Sequence, residues 1–252
     1  MIEQKYSILS GHLKELHLPA FRQHYRGEAD LARQESLEHE EYLLELARRE
    51  CEERAFKRTQ RYLRESRLPN EKIIETFDRE RLSVKLNSLV QHLLEGSFLD
   101  RFENVLAFGK PGSGKTHLLC AIGHALIQQG RRVLYASCSL LVQDLLMAKR
   151  ELSLAKHLKK LSKYHALIID DIGYVQQDRE EMEVLFTLLA DRYERGTVML
   201  TSNLPFSKWE QIFKDPMTTA AAIDRLVHHC IILEINLPSY RLEKSQEKQE
   251  KG

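Results

Sequence analysis

The sequence predicts an α/β protein in which a buried parallel sheet follows a small all-helical N-terminal region. Three observations carry that expectation. Five short apolar runs rich in branched residues, Val105–Phe108, Val133–Ser137, Ala166–Asp170, Val198–Ser202 and Ile231–Ile235, alternate with helical patterns. None alternates strictly between apolar and polar residues, as befits strands covered on both faces, and the helices between them imply right-handed crossovers and a parallel sheet. Residues 1 to about 68, by contrast, read as helices with no strand pattern.

In chain order, Pro19 suits the first turn of a helix. Ser36 is placed to cap a long helix beginning at Leu37, whose Leu43, Leu44, Leu46, Ala47, Cys51 and Ala55 form an apolar stripe. Leu68-Pro69-Asn70 breaks the pattern. The expected organisation is therefore a helical domain over 1–68, a second domain over 69–241 and a charged tail over 242–252. A further helix over about Arg79–Glu95 carries Leu82, Leu86, Leu89, Val90 and Leu93 at helical spacing. The first strand leads into a glycine-rich segment, and a helix follows from His117 to Gln129.

That segment, Gly109-Lys110-Pro111-Gly112-Ser113-Gly114-Lys115-Thr116, reads G-x-x-x-x-G-K-T between a strand and a helix. Such a loop turns successive backbone N–H groups inward onto phosphate oxygens, and the helix N-terminus adds its positive dipole end. The Lys115 side chain can reach β- and γ-phosphates, and the Thr116 hydroxyl can ligate Mg²⁺. ATP and Mg²⁺ are the expected ligands.

Three later motifs complete a hydrolysis site. The run Ala166–Ile169 ends in Asp170-Asp171. Asp170 is placed to partner the metal opposite Thr116, and Asp171 to orient an attacking water. The run Val198–Ser202 ends in Asn203, an uncharged group for water or γ-phosphate. Asp224-Arg225-Leu226 offers a guanidinium that can neutralise charge on a transferring phosphoryl group; the competing reading is a surface ion pair with Asp224. Arg241 is a further candidate for nucleotide contact, against a solvated tail residue.

Composition narrows the setting. Lys and Arg number 38 against 37 Asp and Glu, so net charge argues neither for nor against a polyanionic partner. Local distribution says more. Arg54, Lys57, Arg58 and Arg61 lie in one basic stretch, with Arg54, Arg58 and Arg61 on one helical face. Lys149, Arg150, Lys156, Lys159 and Lys160 form a second cluster. The four cysteines are scattered, with no metal or disulfide spacing. No apolar run approaches membrane-spanning length and the N-terminus lacks a signal-peptide core, so a cytoplasmic protein without membrane contact is expected.

Together these motifs resemble the AAA+ ATPases, and within them the branch of the helicase loader DnaC and the transposition helper IstB. The residues that carry the likeness are Gly109–Leu118, Leu167–Tyr174, Thr201–Leu204 and Asp224–Leu226, in that order. Leu13-Lys14-Glu15-Leu16-His17-Leu18-Pro19 and Leu237-Pro238-Ser239-Tyr240-Arg241 resemble IstB-like proteins in particular. The likeness covers essentially the whole chain. It implies a five-stranded parallel sheet of order 5-1-4-3-2 and contact of His117 with nucleotide. It implies a homo-oligomer in which Arg225 acts in trans, and DNA facing the helices within Leu140–Tyr164. Two departures stand out. Asp171 replaces the glutamate common in the family, which bears on hydrolysis rate. Too few residues follow Ile235 for the usual helical lid.

The resulting expectation is an ATPase that assembles on duplex DNA, is nucleoid-associated when so bound, and recruits an IstA-like DDE transposase. The alternative is a DnaC-like helicase loader with the same core. A small-molecule kinase would leave Asn203, Arg225 and the basic helices without a role.

Overall fold

A computed structural model describes residues 2–173, 178–209, 216–240 and 243. The chain forms two compact units, Met1–Arg61 and Tyr62–Gly252.

The first unit holds α1 (Ile2–Glu15), α2 (Pro19–Glu35) and most of α3 (His39–Ser66). Its small core gathers Leu13, Tyr25 and Leu46, with Tyr6, Leu18, Phe21 and Tyr42 packed around them. Pro19 opens α2, and the residue before it, Leu18, supplies no side-chain cap. The cap comes from α3 instead: Glu50, 4% exposed, accepts the Ala20 N–H at 2.8 Å. Two expectations fail here. Ser36 does not start α3; it ends α2 in a left-handed conformation, φ 55°, donating its N–H to Ala32. The chain therefore needs two further residues before α3 begins, with Glu40 and Glu41 in its first turn. Nor does the apolar stripe bury as a whole: Leu46 is 1% exposed, while Leu43 and Leu44 remain 56% and 58% exposed.

In the second unit, the segment expected as one helix from Arg79 divides. A short 3₁₀ turn spans Arg79–Arg81, and α4 (Val84–Glu95) begins only after Ser83, whose hydroxyl accepts the Leu86 N–H. The strands are β1 (Asn104–Phe108), β2 (Val133–Ser137), β3 (Ala166–Ile172), β4 (Thr197–Ser202) and β5 (Cys230–Glu234). They form one parallel sheet in the order β2-β3-β4-β1-β5, the expected 5-1-4-3-2 read from its other edge. α4 and α5 (Lys115–Gln128) cover one face through Val90, Leu93, Leu118 and Ile122. α6 (Cys138–Arg150), α7 (Leu154–Leu161), α8 (Arg179–Arg192) and α9 (Pro216–Val227) cover the other. Coverage on both faces is why the strands lack an alternating pattern.

Two details of the sheet place the site. β3 shifts register against β4 between Ile169 and Ile172, and within that irregularity Asp171 takes a left-handed φ of 60°. β1 lies between β4 and β5, so the loop leaving it opens at the carboxyl ends of the central strands, where α/β sheets bind ligands.

Candidate nucleotide site

Gly112 and Gly114 have φ of 79° and 95°, backbone that favours glycine. Close approach makes the same demand. A Cβ on Gly114 would lie 3.0 Å from the Phe77 ring, and one on Gly112 would collide with the Ser239 side chain. The loop is thus wrapped by Phe77 on one side and by the segment after β5 on the other, where the Tyr240 N–H donates to the Gly112 carbonyl at 3.1 Å. Ser113 Oγ is buried with no hydrogen-bond partner among the described residues. An orphaned hydroxyl inside a curled loop suits an incoming phosphate oxygen.

Lys115, 5% exposed, folds back to donate to the carbonyls of Gly109 at 2.9 Å and Lys110 at 3.1 Å. The loop's own backbone therefore holds the ammonium at the phosphate position.

Asp170 is the hub of the site. Its Oδ1 accepts the hydroxyls of Thr116 at 2.8 Å and Thr201 at 2.6 Å, and its Oδ2 accepts the Tyr135 hydroxyl at 2.9 Å. Burial pushes the Tyr135 hydroxyl pKa well up, and the adjacent Asp170 charge adds to that, so the tyrosine stays a donor. Thr201 also accepts the Asp171 N–H at 2.8 Å, which fixes the turn that points Asp171 away from the core. Thr116 hydroxyl and Asp170 carboxylate make a hard-oxygen pair, the donor chemistry that suits Mg²⁺.

A cavity of about 400 Å³ opens over these groups. Pro111 to His117, Asp171 and Asn203 line it, together with Phe77, Arg81, Leu237 and Tyr240. His117 sits under Phe77 with ring centroids 5.3 Å apart, and its Nε2 lies 3.1 Å from the Ile73 carbonyl. Burial lowers its pKa despite that bond, so the ring is neutral near pH 7. Arg81 stacks on Tyr240 at 5.7 Å and pairs with Glu243 at 2.8 Å, tying the post-β5 segment beside the loop.

The structure thus brings Lys115, Thr116, Asp170, Asp171, Asn203 and His117 together at the carboxyl ends of β1, β3 and β4. Gly109 and Lys110 line a neighbouring hollow and face the site through their carbonyls. Arg241 lies outside the described residues. Sequence reasoning missed Tyr135, Thr201, Phe77 and Arg81. Thr201 stands in the quoted strand motif but had no assigned role, and Tyr135 meets Asp170 only because β2 lies beside β3.

Arg225 is elsewhere. It ends α9 beside the amino ends of the strands, where Asn104 binds the Leu226 carbonyl at 3.1 Å and the Val198 N–H at 2.9 Å. The nucleotide loop leaves β1 at its other end, roughly 16 Å along a five-residue strand. The Arg225 guanidinium lies 4.5 Å over the Phe186 ring, and its buried Nη1 has no hydrogen-bond partner among the described residues. No ion pair with Asp224 is present among them.

The family model described as IstB-like ATP binding protein matches residues 11–248. The chain belongs to the IstB-like ATP binding protein family. An insertion-sequence ATP-binding protein of Sinorhizobium fredii is 42% identical over 236 residues, 93% of this chain and 79% of that protein. The insertion sequence IS21 ATP-binding protein of Pseudomonas aeruginosa is 36% identical over 239 residues, covering 95% and 89%. Among solved structures, AMPPCP-bound DnaA from Aquifex aeolicus aligns with a TM-score of 0.57 at 20% identity, covering 74% of this chain and 57% of that one. The DnaC helicase loader aligns with a TM-score of 0.56 at 17% identity, covering 70% and 99%. These structural likenesses establish the AAA+ fold of this IstB-like protein and nothing finer.

Several residues of the basic clusters form ion pairs. Arg54 pairs with Glu50 at 2.7 Å, Lys57 with Glu53 at 2.9 Å, Lys149 with Glu183 at 2.9 Å and Arg150 with Glu180 at 3.6 Å. Arg54, Lys57 and Arg150 are nonetheless exposed, as are Arg58, Arg61, Lys156, Lys159 and Lys160. Among the described residues, no helix is long and apolar enough to cross a membrane.

Proposed function

We propose that this IstB-like protein is an ATP-hydrolysing, DNA-binding helper of insertion-sequence transposition. The observation that carries the reading is the hydroxyl–carboxylate pair of Thr116 and Asp170, set between the phosphate loop and the exposed Asp171 and Asn203. Loop amides and Lys115 hold the triphosphate of ATP, and His117 sits against the same nucleotide. Thr116 and Asp170 hold Mg²⁺, which when bound neutralises phosphate charge. Asp171 accepts a proton from the attacking water, and Asn203 orients that water toward the γ-phosphate.

Arg225 serves a neighbouring copy. Its distance from its own loop, its uncommitted Nη1 and the lack of an ion pair all support action in trans. ATP then assembles subunits on duplex DNA, with Arg54, Lys57, Arg58, Arg61, Lys149, Arg150, Lys156, Lys159 and Lys160 contacting phosphates. The helical domain over 1–68 contributes to DNA binding and assembly, the ATPase domain spans 69–241, and 242–252 is a charged tail. The assembly recruits an IstA-like transposase at the bacterial nucleoid, and hydrolysis dissolves it. The insertion-sequence relatives support this reading over a helicase loader, for which only the fold speaks.

Titration of duplex and single-stranded DNA, with and without ATP, tests the proposal. ATP should promote duplex binding that weakens steeply with salt. Lys115→Ala should lower ATP affinity about 10- to 100-fold, the weight of a charge-assisted phosphate contact, and remove the ATP effect. Preference for single strands, or wild-type ATP response in the variant, would overturn it.

A further inference from the structure

A second cluster of chemistry-bearing residues lies outside the nucleotide site, at the amino end of the sheet. Glu194, His228 and His229 each offer one ligand atom, and the three atoms lie within 4.8 Å of one another. All three residues are exposed. Among the described residues no ion pair engages any of them; the Tyr193 hydroxyl hydrogen-bonds both His228 and Glu194.

The elements that present them are firmly anchored. Glu194 stands on the tight turn after α8, where the N–H groups of Arg195 and Gly196 both return to the Arg192 carbonyl at 3.0 Å. Arg192 is 3% exposed and donates to the carbonyls of Leu161, Tyr164, His165 and Thr197, which locks that turn to the starts of β3 and β4. His228 closes α9 through its N–H to the Asp224 carbonyl at 3.0 Å, and the His229 carbonyl accepts the Asn104 N–H at 2.8 Å, at the start of β1. Adjacent residues usually diverge, yet these two imidazoles sit edge-to-face with centroids 4.2 Å apart. The Tyr193 hydroxyl, 3.0 Å from His228 Nδ1, sets the orientation of that ring.

We propose that Glu194, His228 and His229 form a binding site for a divalent transition-metal ion of the Zn²⁺ class, with water in the remaining position. Two imidazoles, which are borderline donors, with one carboxylate suit Zn²⁺, Co²⁺ or Ni²⁺ rather than the hard Mg²⁺ that accompanies nucleotide. Bonds of about 2.0–2.2 Å require ligand atoms roughly 3.4 Å apart. Rotation of these exposed side chains would close the present spread. The bound ion would staple the turn after α8 to the junction of α9 and β5. The site is independent of the reading given to ATP and DNA.

Chelator-treated full-length protein, titrated without nucleotide with Co²⁺ and then Zn²⁺, tests this. One equivalent of Co²⁺ should bind at micromolar concentration with the visible absorption of a low-coordinate nitrogen–oxygen site, and Zn²⁺ should bleach it. His228→Ala and His229→Ala should each weaken binding by more than the about 10- to 100-fold typical of losing an outer partner. Glu194→Gln should weaken it too, and Zn²⁺ should raise the Tm of wild type but not of the double histidine variant. His12→Ala, at the exposed His12–Glu15 pair on α1, should bind as wild type. The proposal falls if no Co²⁺ spectrum forms, or if the His228 and His229 variants keep wild-type affinity while folded by circular dichroism.

Discussion

Thr116 and Asp170 stand 54 residues apart and meet in one hydrogen bond of 2.8 Å, hydroxyl to carboxylate. The bond joins the first turn of α5 to the end of β3. The same carboxylate takes two more hydroxyls, from Thr201 and Tyr135, so its charge is balanced by donors before any cation arrives.

Asp170→Asn tests that balance. An amide can still accept at one atom, but its NH₂ would face a hydroxyl that now has to turn. Stability should fall by about 1–3 kcal/mol, the cost of a mismatched buried polar group. Hydrolysis should fall about 100-fold or more, because the metal pair is lost, while metal-free nucleotide binding persists. Isothermal titration with and without Mg²⁺, beside a phosphate-release assay, separates the two effects.

Asp171 has a different task. Its backbone is held by Thr201 while its side chain lines the nucleotide cavity. Asp171→Asn should therefore keep ATP affinity and stability, yet slow hydrolysis about 100-fold, as loss of a general base does. ATP-dependent DNA complexes should outlive those of wild type. Dissociation rates after ATP is chased away give the measurement; rapid turnover by the variant would remove Asp171 from the reaction.

The legible part of this protein is the part whose chemistry is local. A phosphate loop needs its glycines, lysine and threonine within eight residues, so Gly109–Thr116 announces itself. Asp170 and Asp171 are legible in position, because two carboxylates at the tip of an apolar strand that follows a phosphate loop invite a role there. Tyr135 and Thr201 are not, because their meeting with Asp170 depends on which strands lie side by side. Ser36 misleads for a related reason: the same residue type serves a helix start and a left-handed helix end, and only the neighbouring chain decides. Leu43 and Leu44 share the helical spacing of Leu46, but spacing alone does not say how wide a stripe the small first unit can cover.

Arg225 gives the third prediction. The length of β1 separates it from its own loop, so its removal should leave ATP binding intact and lower hydrolysis about 1,000-fold or more, as for arginines supplied to a phosphoryl group. Mixed with Lys115→Ala, the Arg225→Ala protein should regain activity, since some junctions then pair an intact loop with an intact arginine. Activity measured across mixing ratios should peak between the pure variants. A flat line would return Arg225 to a packing role against Phe186.

Glu50 gives the last. Burial alone would raise its carboxyl pKa, but the Arg54 guanidinium and the N–H groups of Ala20 and Phe21 outweigh burial and hold it below the ordinary value of 4.5. A carboxyl depressed on folding contributes stability that is full above its unfolded pKa and is lost as pH falls through the folded one. Glu50→Gln keeps the shape and removes the charge. At pH 7 the variant should lose ~2 kcal/mol in the first unit, within the range for hydrogen bonds to a charged group. Amide exchange across α2, which Glu50 caps, should then speed up about 30-fold. Once pH drops well below 4.5, wild type should lose its advantage and exchange like the variant, after correction for intrinsic rates. A gap between the two that stays constant with pH would mean that Glu50 acts through packing alone.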